Sequence, residues 1–237
     1  RPWVMDKSVF HLYSERAVTT AREQMPDARV IITLRDPIEL MLSMHQEHSK
    51  RLVDYNVNQS EMLAAAAAGD YQANPEDPQT WSFLAFPRLK HPTLHWVEAL
   101  GGVKSNRIRI IPISSIRNDS LATLNSILEW LGESPFPEDK KLPHHNEGGD
   151  MNKAGWARFL RQPPTFPVKL TKILLPSHNL RRMIFDPLRR PGFKPKKTQR
   201  PELSLEQRAD LEAAFTEEIE FLDNLESYID PSLIISH

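Results

Sequence analysis

The chain has no cysteine among its 237 residues. That absence excludes disulfide frameworks, thiolate zinc sites and cysteine nucleophiles together. It fits a reducing compartment, so a cytoplasmic location is expected. Long apolar runs are missing too. None approaches the roughly 20 residues of a membrane-spanning helix, and no membrane span is expected. Arg1-Pro2-Trp3 is not followed by the apolar stretch of a secretory leader. The first residue is not Met, and residues upstream of it are expected. Neither sign of charge is in excess. The formal net charge is -1, so no global field steers the chain to nucleic acid or to an anionic membrane.

Glycine is scarce, at 8 residues, whereas proline numbers 20. The prolines crowd into Asn74 to Pro92, Pro135 to Pro143 and Pro163 to Pro201, which read as ordered but irregular connections. Hydrophobic residues make up 40% and charged residues 26%, ordinary for a globular chain of one domain.

The pattern along the chain alternates strand and helix. Trp3-Val4-Met5 is a short apolar run expected as a strand that delivers Asp6-Lys7-Ser8 at its end. Ser14 to Met25 reads as a helix capped by Ser14 and stopped at Pro26-Asp27. Val30 to Leu34 is nearly all apolar and β-branched, the pattern of a parallel strand covered on both faces. Asp36 then caps a helix with Pro37 at its first position, running to about Val53. Ser60 to Ala68 and Thr93 to Leu100 are expected helices, and Ile108 to Ile113 a third strand. Ser120 is expected to cap a helix with Leu121, Leu124, Leu128 and Leu131 on one face, closed by Gly132. Residues 133 to 150 read as loop, and Ala154 to Arg161 and Val168 to Leu174 as short helices. Ser204-x-x-Gln207 is a capping box that opens one long helix to Tyr228. Leu211, Phe215, Ile219 and Leu222 are expected to form its buried stripe. This order predicts an α/β fold with a parallel sheet flanked by helices, in a single domain over 1–237.

Ligands of open α/β sheets bind beyond the carboxyl ends of the strands, which is where Arg35 falls. A guanidinium there suits bidentate phosphate binding, and the helix starting at Pro37 adds partial positive charge. Ser43, two turns on, can donate one more hydrogen bond. The alternative is a plain strand-to-helix corner with Arg35 paired to Asp36 or Glu39.

The run Asp6-Lys7-Ser8, then Pro26-Asp27-Ala28-Arg29-Val30-Ile31-Ile32-Thr33-Leu34-Arg35-Asp36-Pro37-x-Glu39 with Ser43, resembles the middle of sulfotransferases that use 3'-phosphoadenosine-5'-phosphosulfate. Leu94-His95-Trp96, the strand to Ile113 and Leu128-Glu129-Trp130-Leu131-Gly132 are similar to the later core of that family. Lys194 to Pro201 is similar to its basic loop over the nucleotide. The resemblance implies a P-loop-kinase-like sulfotransferase fold in which Arg35 and Ser43 hold the 3'-phosphate of the donor. Lys196, Lys197 and Arg200 would lie near the nucleotide, although a basic run is also commonly a solvated loop.

The sequence departs from the family in three ways. A second arginine usual after the glutamate is Leu40 here. No Gly-Lys or Gly-Thr pair exists to make the family's phosphosulfate loop, so the chain is expected to lack the N-terminal strand and loop of the domain. The glutamate that serves as base in heparan-type relatives is Asp6. Asp6 is therefore the candidate base and Lys7 its assistant, the alternative being a mutual ion pair or a helix cap. His45, His48, His144 and His145 are rival bases. Adjacent histidines without a spaced third ligand do not suit a metal, and none is expected.

The resemblance implies transfer of a sulfuryl group to a hydroxyl or amine of a small-molecule or carbohydrate acceptor, with no nucleic-acid partner. The Pro-rich segments 70–92 and 133–150 would meet the acceptor. A nucleotide-binding or scaffold module of the same fold is the alternative. A kinase of related architecture would need the same missing loop and an acidic strand end for magnesium.

Overall fold

Four β-branched residues and a leucine, Val30–Leu34, form β1, and Ile108–Pro112 form β2. They pair in parallel, from Val30 opposite Ile108 to Leu34 opposite Pro112. On the other edge of β2, Ile234 makes a single parallel bridge to Ile110, and the Ile235 N–H donates to the Ile110 carbonyl at 2.9 Å. The fold is thus mixed α/β around a small parallel sheet. The computed structural model describes residues 3–8, 10–51, 59–68, 87–142 and 202–236. All but Glu202 fall in one unit, Arg1–Leu142 with Leu203–His237; Glu202 is assigned to a second, Pro143–Glu202, whose other residues lie outside the description. The short helices expected at Ala154 to Arg161 and Val168 to Leu174 fall there.

The helices in chain order are α1 (Glu15–Thr19), α2 (Pro37–Arg51), α3 (Gln59–Ala67), α4 (Lys90–Ala99), α5 (Gly102–Ser105), α6 (Ile113–Asn118), α7 (Ser120–Leu131), α8 (Leu205–Ala214), α9 (Thr216–Asp223) and α10 (Leu225–Tyr228). Among the described residues no helix is long and apolar enough to cross a membrane. Ser14 caps α1 as expected, its Oγ accepting from the Ala17 N–H at 3.1 Å. A π turn, Thr20–Gln24, carries the chain on to the turn at Pro26-Asp27. The Arg107 guanidinium then donates to the carbonyls of Ala21, Met25 and Ala28 at 2.6, 2.9 and 3.2 Å. That side chain ties the approach to β1 onto the start of β2.

Two apolar clusters hold the unit together. In the first, Ile32, Leu34, Ile108 and Ile110 of the sheet pack with Trp96 and Leu100, Phe221, Leu225, Ile229 and Leu233. In the second, Ile38 and Met41 of α2 meet Met62, Leu63 and Ala66 of α3 and Leu211 and Phe215. Each such side chain removed from water contributes about 1.5–3 kcal/mol. The start of α4 is fixed differently. Leu89 offers no side-chain cap. Instead the buried carboxylate of Glu218, on α9, accepts from the Leu89 and Lys90 N–H groups at 2.8 and 2.7 Å. It supplies an acceptor and a negative charge at the positive end of the helix.

Several expectations are corrected. Trp3-Val4-Met5 is not a strand but exposed coil, since three residues without a paired neighbour hold no ladder; Trp3 Nε1 instead donates to Glu133 Oε1 at 2.8 Å. β1 is covered on one face only: Ile32 and Leu34 are buried, whereas Ile31 and Thr33 are exposed. The α7 cap is Asp119, accepting from the Ala122 N–H at 2.8 Å, because α6 ends immediately before it. Gly132 does close α7, in the left-handed region at φ 79°. Of the C-terminal stripe expected to be buried, Leu211 and Phe215 are, whereas Ile219 and Leu222 are half-buried. Helix α4 starts at Lys90 rather than Thr93. The long C-terminal helix keeps its capping box but is three helices, not one. Its breaks have local causes: Thr216 Oγ1 donates to the Glu212 and Ala213 carbonyls, both at 3.0 Å, and Asn224 Nδ2 to the Glu220 carbonyl at 3.0 Å. Side chains bonding back to the preceding turn bend helices.

Candidate functional site

The carboxyl end of β1 carries Arg35, and α2 starts two residues later. Asp36 governs that corner. Its Oδ1 accepts from the Glu39 N–H at 2.7 Å and its carbonyl from the Leu40 N–H at 2.8 Å, while Pro37 has no N–H to satisfy. The partial positive charge of the helix start is thereby met by Asp36.

Arg35 turns to Glu39. Its Nε and Nη2 donate to Glu39 Oε2 at 3.1 and 2.9 Å. Arg117, on the helix that follows β2, donates from Nη2 to the same oxygen at 2.8 Å. Two guanidinium groups, one just past the end of β1 and one in the last turn of the helix after β2, therefore converge on one carboxylate oxygen. The Arg117 hydrogen bond, opposed by burial and reinforced by Arg35, holds the Glu39 carboxyl down at about 2. The Arg35 side chain is 19% exposed and that of Arg117 51%, so Arg35 forms the floor and Arg117 the open side. The pairing of Arg35 with Glu39 is formed; among the described residues it makes none with Asp36.

Ser43 lies half-buried on α2, two turns beyond Arg35, and its hydroxyl makes no hydrogen bond among the described residues. Asp6 and Lys7 lie in exposed coil. The Asp6 carboxylate stands 3.9 Å from His11 Nε2. Neither an Asp6–Lys7 ion pair nor a link from these two to Arg35 or Ser43 occurs among the described residues. The segment is anchored just downstream, where Trp96 Nε1 donates to the carbonyls of His11 and Leu12 at 3.2 and 3.0 Å. His45 is half-buried on α2. Lys194, Lys196, Lys197, Arg200, His144 and His145 lie outside the described residues, as does the side chain of His48.

Arg117 escapes sequence reasoning because nothing local marks it. The available signal is positional: Arg35 and Arg117 each follow a parallel strand, at the edge where ligands of such sheets gather. At the opposite edge Arg29 and Arg109 stand over the Trp130 ring, 5.0 and 4.9 Å from its centre. Burial and the neighbouring Arg29 charge push the Arg109 pKa down. This trio has a structural role. Arg29 Nη1 donates to the Trp130 carbonyl in the last turn of α7 at 2.5 Å, and Trp130 Nε1 donates to the carbonyl and side-chain oxygen of Asn106, both at 3.1 Å.

No family model matches the chain, and no curated protein or solved structure matches it significantly.

Proposed function

We propose that the chain belongs to a sulfotransferase that moves a sulfuryl group from 3'-phosphoadenosine-5'-phosphosulfate to a hydroxyl or amine. The observation that carries this reading is the corner itself: Arg35 at the carboxyl end of a parallel strand, with Ser43 two turns into the following helix. Arg35 and Ser43 bind the 3'-phosphate of the donor. Lys196, Lys197 and Arg200 contact the nucleotide. Asp6, 83% exposed on its side chain and open to an acceptor, takes the acceptor proton. The bond from sulfur to the acceptor forms as the bond from sulfur to the 5'-phosphate oxygen breaks, and the electron pair leaves on the phosphate. Lys7 neutralises charge on the sulfuryl oxygens. Positioning and charge neutralisation supply most of the acceleration.

Calorimetry with adenosine 3',5'-bisphosphate and with adenosine 5'-monophosphate tests the nucleotide site. The bisphosphate is expected to bind more tightly, and Arg35→Ala to remove that preference. A folded chain without the preference overturns the reading. A second reading, a nucleotide-binding module without catalysis, is favoured by the position of Asp6 and Lys7 in exposed coil, with no link to Arg35 or Ser43 among the described residues. Bisphosphate binding without transfer of radiolabelled sulfate to an acceptor panel marks that outcome.

A further inference from the structure

We infer that Arg117 is a second guanidinium of the anion site and that Glu39 is its internal counter-ion, exchanged for an incoming phosphate. The inference deepens the proposed nucleotide reading and rests on it for the identity of the ligand, though not for the exchange itself.

Three features of the geometry support it. First, Arg35 and Arg117 reach one atom, Glu39 Oε2, with nitrogens at 2.9 and 2.8 Å. Two donors that share one oxygen are close enough for one phosphate to span, because its oxygens are mutual neighbours and each accepts from a guanidinium fork. Second, the charges are unequal. Neither guanidinium pairs with a second carboxylate among the described residues, and Asp36 is engaged with the backbone of α2. Two cations thus meet through one carboxylate, and a dianionic phosphate would match them better than Glu39 does. Third, exposure sets the order of events. The more open Arg117 meets an arriving anion, and the more buried Arg35 is reached only when the Glu39 carboxylate yields. With one fork on the neighbouring strand's helix, the site favours a terminal phosphate over a singly charged anion.

The test compares inorganic phosphate and adenosine 3',5'-bisphosphate on wild type, Arg35→Ala, Arg117→Ala and Glu39→Gln by calorimetry at low salt. Far-UV circular dichroism verifies the fold of each variant. Arg117→Ala is expected to weaken both ligands by about tenfold or more, the scale of a lost charge-assisted hydrogen bond. Glu39→Gln is expected to tighten both several-fold by removing the competing carboxylate. If Arg117→Ala leaves affinity unchanged while Arg35→Ala abolishes it, or if Glu39→Gln weakens binding, the exchange is overturned and the nucleotide reading stands. If phosphate responds as expected but the bisphosphate binds no better than phosphate, the exchange stands and the nucleotide reading falls. Absence of binding by either ligand to wild type overturns both.

Discussion

Replacing Glu218 with alanine removes the acceptor for two backbone donors at the start of α4. The Leu89 N–H is buried, with its residue 2% exposed, and that of Lys90 is partly buried. Water cannot replace the carboxylate at the first and replaces it only partly at the second. A hydrogen bond to a charged acceptor contributes about 1.5–3 kcal/mol, and a carboxylate at a helix N-terminus adds about 0.3–1 kcal/mol. Weighting the buried bond fully and the other by roughly half gives a loss of about 2.5–5.5 kcal/mol for Glu218→Ala. Both N–H groups reach the same oxygen, Glu218 Oε2, so Glu218→Gln keeps that acceptor for both and loses only the negative charge, and about 1–2 kcal/mol is expected. The neighbouring Glu217 is exposed, and Glu217→Ala should stay within about 0.5 kcal/mol of wild type. Urea unfolding at neutral pH, followed by circular dichroism and fitted with a common slope, reads all three. If Glu218→Ala costs no more than Glu217→Ala, the carboxylate does not hold α4 and the reasoning fails.

Three further outcomes follow from the same kind of argument. Glu39, held at about 2 against an ordinary 4.5, contributes stability above its unfolded value that is lost as pH falls toward 2. Its side chain is 37% exposed, so screening reduces the contribution to about 1 kcal/mol. The stability gap between wild type and Glu39→Gln should shrink through that window, and a gap independent of pH refutes it. Gly132→Ala meets no atom within 4 Å but must adopt φ 79°; a loss of about 1 kcal/mol in thermal melting is expected from the backbone alone. The Thr93 hydroxyl is buried without a hydrogen-bond partner among the described residues, so Thr93→Val should stabilise by about 1 kcal/mol; a loss of that size shows that the hydroxyl is satisfied in solution.

Local chemistry made much of the fold legible. Asp36 before Pro37, Ser14 before α1 and the Ser204–Gln207 box act within four residues of themselves, and each does in the structure what its position dictates. Periodicity located β1 and β2, yet it did not reveal which faces are covered, because covering depends on elements far away in sequence. The breaks in the C-terminal helix were hidden for another reason: Thr216 and Asn224 are tolerable helix residues until their side chains bond backward. Of the candidate site, the strand-to-helix corner was visible as a motif. Its second arginine was not, since Arg117 stands 78 residues from Glu39 and only the parallel pairing of the strands unites them. Glu218 shows the same limit. A glutamate on an acidic helix looks like solvent-facing charge until α4 is packed against it.

The bridge between Ile234 and Ile110 has a kinetic side. It joins residues about 120 positions apart, and closing so long a loop costs about 4 kcal/mol in chain entropy. One ladder contact does not offset that; the burial of Leu233 and Ile235 beside it, at 1% and 8% exposure, does. Docking of this segment needs β2 already in place, and β2 needs β1. Each pairing is non-local, and a topology of that kind folds slowly. The last position of the sheet is therefore expected to fill late in folding, and until then the unpaired edge of β2 would stand open to pairing with other chains.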